Sequence, residues 1–221
     1  RYNMKFSTEL EATTGFQSTR YITLGMEYEN SDWTTFKDFK KEALRPVLEK
    51  DLKARIHAHR ADDMVTAIRV AEEFDFDIVI EHASEGHQIA DYLAEKDIPA
   101  VVGPGLAART KRELSNKTFE TSAVLADKGV KVALMTDSPL IPTKYLNLMA
   151  AYSAREGMAE EDALKAITIN PAEICGLEDR VGSLEKGKDA NVVVVDGDPL
   201  EIKSKIEKVF IEGEEIDLED P

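Results

Sequence analysis

The sequence predicts an α/β protein built around a parallel β-sheet. Short runs rich in Val, Ile and Ala alternate with longer segments whose apolar residues recur at helical spacing. The runs at 78–80 and 101–102 are continuously apolar, as expected of strands buried on both faces. Because this alternation is typical of β-α-β units, each helix is expected to join two parallel strands.

Four strands and their connecting helices are expected in the central part of the chain. Gly103-Pro104-Gly105 is a strong turn signal after the third strand, and Gly129 ends the third helix at a position that tolerates left-handed geometry. The predicted strands are 54–59, 77–82, 98–103 and 130–135, and the predicted helices are 62–74, 88–96, 120–128, 143–156, 159–168 and a short one opening at 170–173.

The two ends of the chain differ from this centre. Residues 2–6 are typical of a further strand, residues 7–31 of irregular structure, and residues 33–53 of a helix capped by Ser31 or Asp32. At the other end, a turn-rich connector at 182–187 leads to all-β structure. It is expected to contain a strand at 190–196 and a hairpin of 206–212 with 214–216.

Composition excludes several classes of partner. The 28 basic and 43 acidic residues give a formal charge of −15, which disfavours duplex nucleic acid and anionic membranes. The absence of a long apolar run and of a signal-peptide pattern predicts a soluble, unsecreted protein. The single cysteine, Cys175, fits a reducing cytoplasm and is expected to be a buried, inert thiol.

Candidate functional residues stand at the ends of three predicted strands. The first strand ends in His57-Ala58-His59-Arg60, the second in Glu81-His82 and the fourth in Thr136-Asp137. Ligands of parallel α/β proteins bind beyond these carboxyl ends, and imidazole with carboxylate suits Zn²⁺. Each histidine alone is more often structural, but their joint placement indicates a divalent metal site. His87 lacks such a placement and is expected at the surface.

These residues resemble motifs of the metal-dependent amidohydrolase superfamily, in particular its imidazolonepropionase-related group. The similarity covers about residues 50–217 and is most specific after the barrel. The matching stretches are Ile56–His59, Ile80–His82, Thr136–Pro139, Ala166–Ala172 and Gly182–Asn191.

The resemblance implies a partial (β/α)8 TIM barrel, containing about strands four to eight, over residues 1–180. Residues 181–221 would then be returning strands of a small composite β-sandwich. Met4-Lys5-Phe6 would be the fourth barrel strand, and Lys5 a metal ligand that is carbamylated in some members of the family.

The same resemblance implies His57, His82 and Asp137 as metal ligands, with Asp137 also the general base. His59 and Arg60 would line the substrate site, and an exchange of roles between His57 and His59 stays open. The implied reaction is hydrolysis of a non-peptide or cyclic amide C–N bond by metal-activated water, with Zn²⁺ the expected ion and a small-molecule amide the expected substrate.

One departure from the family pattern leaves two alternatives. The family carries a His-x-His pair on its first barrel strand, and no such pair precedes Lys5. The chain is therefore expected to be the C-terminal portion of such an enzyme, associating with itself or with a missing N-terminal piece through open strand edges. The alternatives are an inactive fragment or interaction module, and a doubly wound phosphotransfer domain that uses Asp137.

Overall fold

The computed structural model describes residues 3–7, 23–27 and 42–218, and contacts divide the chain into the units Arg1–Asp51 and Leu52–Pro221. In the first unit, strand β1 (Asn3–Ser7) pairs antiparallel with β2 (Thr23–Glu27). The strand expected at 2–6 is thus confirmed. The expectation of irregular structure throughout 7–31 is wrong, because β2 lies within that range.

In the described part of the predicted 33–53 helix, Glu42 is helical, a turn follows at 43–44, and the short helix α1 (Arg45–Leu48) comes next. The remainder of that prediction before residue 42 lies outside the described residues. Pro46 stands in the first turn of α1, and Lys50 beyond its end has a left-handed φ of 62°. Proline favours a helix start and a left-handed residue ends one, so the long uninterrupted helix is wrong at its C-terminal end.

The antiparallel pairing of β1 does not support its assignment to the fourth barrel strand. Strands of a (β/α)8 barrel are all parallel, whereas Lys5 lies opposite Gly25 in an antiparallel register. The Lys5 side chain lies outside the described part of the structure. Its role as a metal ligand therefore stays a prediction.

The second unit contains the predicted parallel sheet. Its strands are β3 (Ala54–Ala58), β4 (Ile78–His82), β5 (Ala100–Val102) and β6 (Val132–Leu134), ordered β3-β4-β5-β6 and all parallel. The connecting helices are α2 (Ala61–Phe74), α3 (Ala90–Glu95) and α4 (Thr121–Asp127). The strand order runs in sequence without the reversal that defines doubly wound sheets, so that alternative does not fit.

The remaining elements follow β6. They are α5 (Leu146–Arg155), α6 (Glu160–Lys165), α7 (Ile169–Cys175), β7 (Val192–Val195), β8 (Ile206–Ile211) and β9 (Glu214–Ile216). Strands β7, β8 and β9 form an antiparallel sheet, which confirms the all-β character expected of the C-terminal part. Single 3₁₀ turns lie at Gly86–Ile89, Arg112–Leu114 and Thr143–Tyr145.

Alternate residues of the parallel strands pack into two separate apolar clusters. Ile80 and Val132 face the connecting helices, where Met64, Leu93 and Leu125 complete a large buried core. On the opposite face, Val79, Val101 and Ala133 pack against Ile174 of α7. Both faces are therefore covered in the centre of the sheet, which explains its continuous apolar runs.

Cys175 corrects one sequence expectation. The thiol is exposed rather than buried, because Ala172 and Ile174 occupy the inward side of the short helix α7. Its Sγ lies 3.7 Å from Nη1 of Arg55.

Candidate metal centre

The carboxyl ends of β3 and β4 bring three histidines together. His57 lies in β3, His59 follows two residues later, and His82 is the last residue of β4, where it stands beside Ala58 in the parallel register. One nitrogen from each ring lies within 4.8 Å of the others, and the ring centroids are 4.1 to 4.8 Å apart. Thus the structure groups His59 with the two predicted ligands, His57 and His82.

Hydrogen bonds orient two of these rings. Nδ1 of His82 lies 2.9 Å from the carbonyl oxygen of Gly103, which can only accept, so Nδ1 carries the proton and Nε2 has a free lone pair. Nδ1 of His59 lies 2.9 Å from Oγ of Ser84. Such contacts to the second ring nitrogen are those that orient metal-binding histidines.

Burial keeps the inner rings neutral. His59 and His82 are 6% and 7% exposed, whereas His57 is exposed. Burial, reinforced by the neighbouring His82 and His57, lowers the pKa of His59 to about 3. The pKa of His82 is also lowered by burial, against an opposing effect of the Gly103 carbonyl. Because neutral imidazole is the form that binds a cation, this donor set fits a divalent metal.

Backbone strain is concentrated at the same strand ends. His82 and Ala83 are consecutive left-handed residues, with φ of 70° and 45°. They are held by the bond from Ala83 N to Ala58 O, 3.1 Å long, and by the bond from Glu85 N to His59 O, 2.9 Å long. A strained backbone of this kind persists only where many surrounding contacts hold it in place, and it is frequent in functional sites.

Gly103 supports His82 from the next strand. Its φ is +147°, and a Cβ at this position would lie 2.2 Å from the carbonyl oxygen of Met135. Only glycine therefore allows β5 and β6 to approach here while the Gly103 carbonyl remains available to His82.

Asp137 lies near the histidines but outside the group whose ligand atoms are mutually within 4.8 Å, as found among residues 42–218. It is exposed, follows β6 and has a left-handed φ of 52°. The charge of Asp137 raises the pKa of His82 and of Glu81, both on β4, each time as a minor cause beside burial. Its roles as ligand and base stay predictions.

Arg60 is engaged with its own helix. Its Nε and Nη2 each lie 2.9 Å from an oxygen of Asp62, and the side chain is 46% exposed. This arrangement matches the ordinary ion pairing of an exposed arginine. The role of Arg60 in substrate binding remains a prediction.

Glu81 precedes His82 in β4, and its carboxylate is half-buried. Burial, as the main cause, raises its pKa, and Arg55 opposes this shift. Nη2 of Arg55 lies 2.5 Å from Oε1 of Glu81, although that oxygen lacks a well-directed hydrogen bond. The pair links β3 to β4 on the face that carries His57.

Sequence reasoning missed a polar chain behind His59. The hydroxyl of Thr121 donates to the carbonyl of Ser84 at 3.2 Å, so Nδ1 of His87, at 3.0 Å, must donate to the Thr121 oxygen. His87 is therefore half-buried, and its expected surface position is wrong. Its partner is 34 positions away, a pairing that no local pattern indicates.

Comparison with known proteins identifies the family. The amidohydrolase family pattern matches residues 8–216, so the chain belongs to the amidohydrolase family. This confirms the resemblance stated from the strand-end motifs.

Individual relatives agree with this assignment. The crystal structure of an amidohydrolase from Thermotoga maritima has 53% identity and a TM-score of 0.79, over 83% of this chain and 48% of that one. N-substituted formamide deformylase of Arthrobacter pascens is 32% identical over 164 residues, 63% of this chain and 29% of the relative. Imidazolonepropionase of Thermoplasma volcanium is 33% identical over 111 residues, 44% of this chain and 26% of the relative.

The chain spans about half the length of the Thermotoga protein and a smaller share of those two curated relatives. Within residues 42–218 and the two short strands before them, no helix combines the length and apolar character needed to cross a bilayer.

Proposed function

We propose that the protein is a metal-dependent hydrolase that cleaves a non-peptide or cyclic amide C–N bond in a small molecule. The observation that carries this proposal is the convergence of His57, His59 and His82, whose inner rings are neutral and oriented through Nδ1. Family membership supports the same reaction class, since the relatives include a formamide deformylase and imidazolonepropionases.

The histidines would hold a divalent ion, and Zn²⁺ suits a set of imidazole ligands. When bound, such an ion lowers the pKa of a coordinated water toward about 7 and polarises the substrate carbonyl. Asp137 accepts a proton from the attacking water and later delivers it to the leaving nitrogen. Asp137 is exposed at the carboxyl end of β6, and its charge raises the pKa of His82, which supports a place close to the histidines for this role. In this proposal Asp137 and Lys5 also contribute to metal binding.

Residues around the proposed metal site would position the substrate. His59 and Arg60 would contact the substrate from the end of β3. The ion pair between Arg60 and Asp62 would have to open or share its guanidinium for that contact, since both carboxylate oxygens are engaged.

The rest of the architecture is proposed on the same basis. The sequential parallel sheet fits part of a (β/α)8 barrel, with a domain boundary near residues 180–181 ahead of the antiparallel β7-β8-β9 sheet. We further propose association with a second copy or with an N-terminal portion of the barrel, and a cytoplasmic location.

The test combines metal content with hydrolysis. The protein is expected to bind one or two Zn²⁺ ions by elemental analysis and to hydrolyse members of a panel of N-acyl and cyclic amides. We expect Asp137→Asn to lower kcat at least about 10²-fold, because the proton acceptor is lost. The matched change Asp127→Asn, in an exposed residue at the end of α4, should leave kcat unchanged.

Other outcomes separate the alternatives. Metal binding without hydrolysis of any panel member would support the inactive or interaction module instead. Full activity of Asp137→Asn would remove that residue from the mechanism, and an absence of bound metal would refute the proposed function altogether.

A further inference from the structure

The connection between β5 and α4 presents a carboxylate to the histidine group. Glu113 lies in the 3₁₀ turn Arg112–Leu114 of this connection, and its side chain is 29% exposed. Its Oε1 lies 3.9 Å from Nε2 of His59. The sequence does not indicate this proximity, because Glu113 follows no strand end and belongs to a polar loop.

Two anchors fix the turn over the site. Leu114 is buried at the base of the turn, and its backbone bonds to Lys111 and Lys117 close the loop on both sides. Nδ2 of Asn116 donates to Oε1 of the buried Glu85 at 2.8 Å, while Oε2 of Glu85 accepts from the backbone N–H of Ala61 at 2.9 Å.

These contacts tie the loop to the histidine-bearing strand ends. Glu85 follows directly after Ser84, the hydrogen-bond partner of His59, and Ala61 begins the helix after β3. The position of Glu113 relative to His59 is therefore set by the same residues that set His59 itself.

The two facing groups are chemically suited to share a cation. Nδ1 of His59 is occupied by Ser84, so Nε2 is the nitrogen that faces Glu113. The described cation beside Glu113 is Lys111, whose Nζ lies 3.3 Å from Oε1 and whose side chain is 62% exposed.

The distance also fits. Ligand bonds of about 2.0 to 2.2 Å allow two atoms on one zinc ion to be as much as about 4 Å apart. The 3.9 Å between Oε1 and Nε2 falls within that span. The Glu113 oxygens lie outside the histidine group whose ligand atoms are mutually within 4.8 Å, as those of Asp137 do. A change in the side-chain rotamer of Glu113, which is partly exposed, would bring its carboxylate to the cation as a fourth donor beside the three imidazoles.

We propose that Glu113 is a further ligand of the cation held by His57, His59 and His82. This inference rests on the proposed function, because it presupposes that the histidines bind a metal. Glu113 would close the site from the loop side, opposite the strands that carry the histidines.

The test measures metal affinity rather than turnover. Zn²⁺ dissociation constants are determined by competition with a chromophoric chelator for the unmodified protein, Glu113→Gln and Glu120→Gln. Glu120 is the matched control, because it lies exposed in the same connection and its replacement removes the same charge. We expect Glu113→Gln to weaken binding at least about 10-fold, and Glu120→Gln to change it less than about 2-fold.

A second measurement guards against misfolding and long-range charge effects. The Co²⁺ derivative of Glu113→Gln should show an altered visible absorption spectrum, while Glu113→Asp should restore part of the affinity and thermal unfolding stays unchanged. Equal affinity of Glu113→Gln and the unmodified protein, or equal weakening by both glutamine variants, would overturn the inference and leave the proposed function standing. An unmodified protein that binds no Zn²⁺ would overturn both.

Discussion

The two sheets of the second unit solve the problem of burial differently. In the parallel sheet, Val79 and Ile80 point to opposite faces and both have no exposed surface, because helices cover one face and Ile174 the other. In the antiparallel sheet, the paired positions Val193, Val209 and Ile216 share one face, together with Ile211. Val193 and Ile211 are 56% and 53% exposed.

This contrast separates a region that completes its own core from one that does not. The parallel sheet is covered by the connecting helices on one face and by Ile174 on the other. In the described part of the chain, one face of β7-β8-β9 instead displays exposed apolar side chains beside Glu214. Surfaces of this kind mark places where other protein surfaces pack. The contrast agrees with the proposal that the C-terminal strands belong to a composite sandwich.

The largest expected effect concerns the buried sheet. Replacing Ile80 with alanine removes a fully buried side chain and should lower the free energy of unfolding by about 2 to 5 kcal/mol. Val193→Ala, in the exposed face, should change it by less than about 0.5 kcal/mol. Urea denaturation followed by circular dichroism measures both. Comparable losses in the two variants would mean that the β7-β8-β9 face is buried in solution.

A smaller effect is expected at glycines of the two sheets. Gly103→Ala should destabilise the protein by about 3 kcal/mol and weaken metal binding, because its Cβ would meet the Met135 carbonyl beside His82. Gly213→Ala, in the β8-β9 turn, has a φ of +85° but no atom within 3.8 Å, so a loss of about 1 kcal/mol is expected. Thermal unfolding of both variants gives the comparison. A harmless Gly103→Ala would show that β5 and β6 can move apart.

The smallest expected effect, counted per pH unit, is on the free energy of unfolding and comes from the protonation of buried His59 at the end of the parallel sheet. The folded pKa of His59, about 3, lies below its unfolded value of 6.5, so the unfolded state binds the proton first. Stability of the metal-free protein should therefore fall as pH falls from 6.5 toward 3, by as much as about 1.4 kcal/mol per pH unit from this residue. Unfolding in the presence of a chelator at several pH values should show a shallower slope for His59→Asn. An identical slope would mean that His59 is solvated in the folded protein.

Much of this fold could be predicted because its signals are local. The strands containing Ile80, Val101 and Val132 are short apolar runs separated by amphipathic helices, and burial on both faces needs that composition. Strand β2 escaped prediction because Gly25 interrupts a short run that only its pairing with β1 stabilises. The helix expected at 33–53 fails in its described part at Pro46, a residue that restricts the one before it and begins a new turn.

The candidate site could be predicted only in part, because some of its contacts join residues that are far apart in the sequence. His57, His59 and His82 could be found because strand ends in a parallel sheet are neighbours by construction. Ser84, Thr121 and Glu113 could not, because their relation to His59 depends on how two loops fold back over the sheet. Exposure of Cys175 likewise depends on which side of a short helix meets the sheet.

The sequential order of β3 to β6 has a consequence for how the protein assembles. Each pairing joins positions only a few tens of residues apart, so each new strand closes a chain loop of modest and similar size. The sheet can therefore grow one strand at a time in the direction of synthesis. The histidine pocket would take shape once β5 arrives with the Gly103 carbonyl, before the C-terminal strands have left the ribosome.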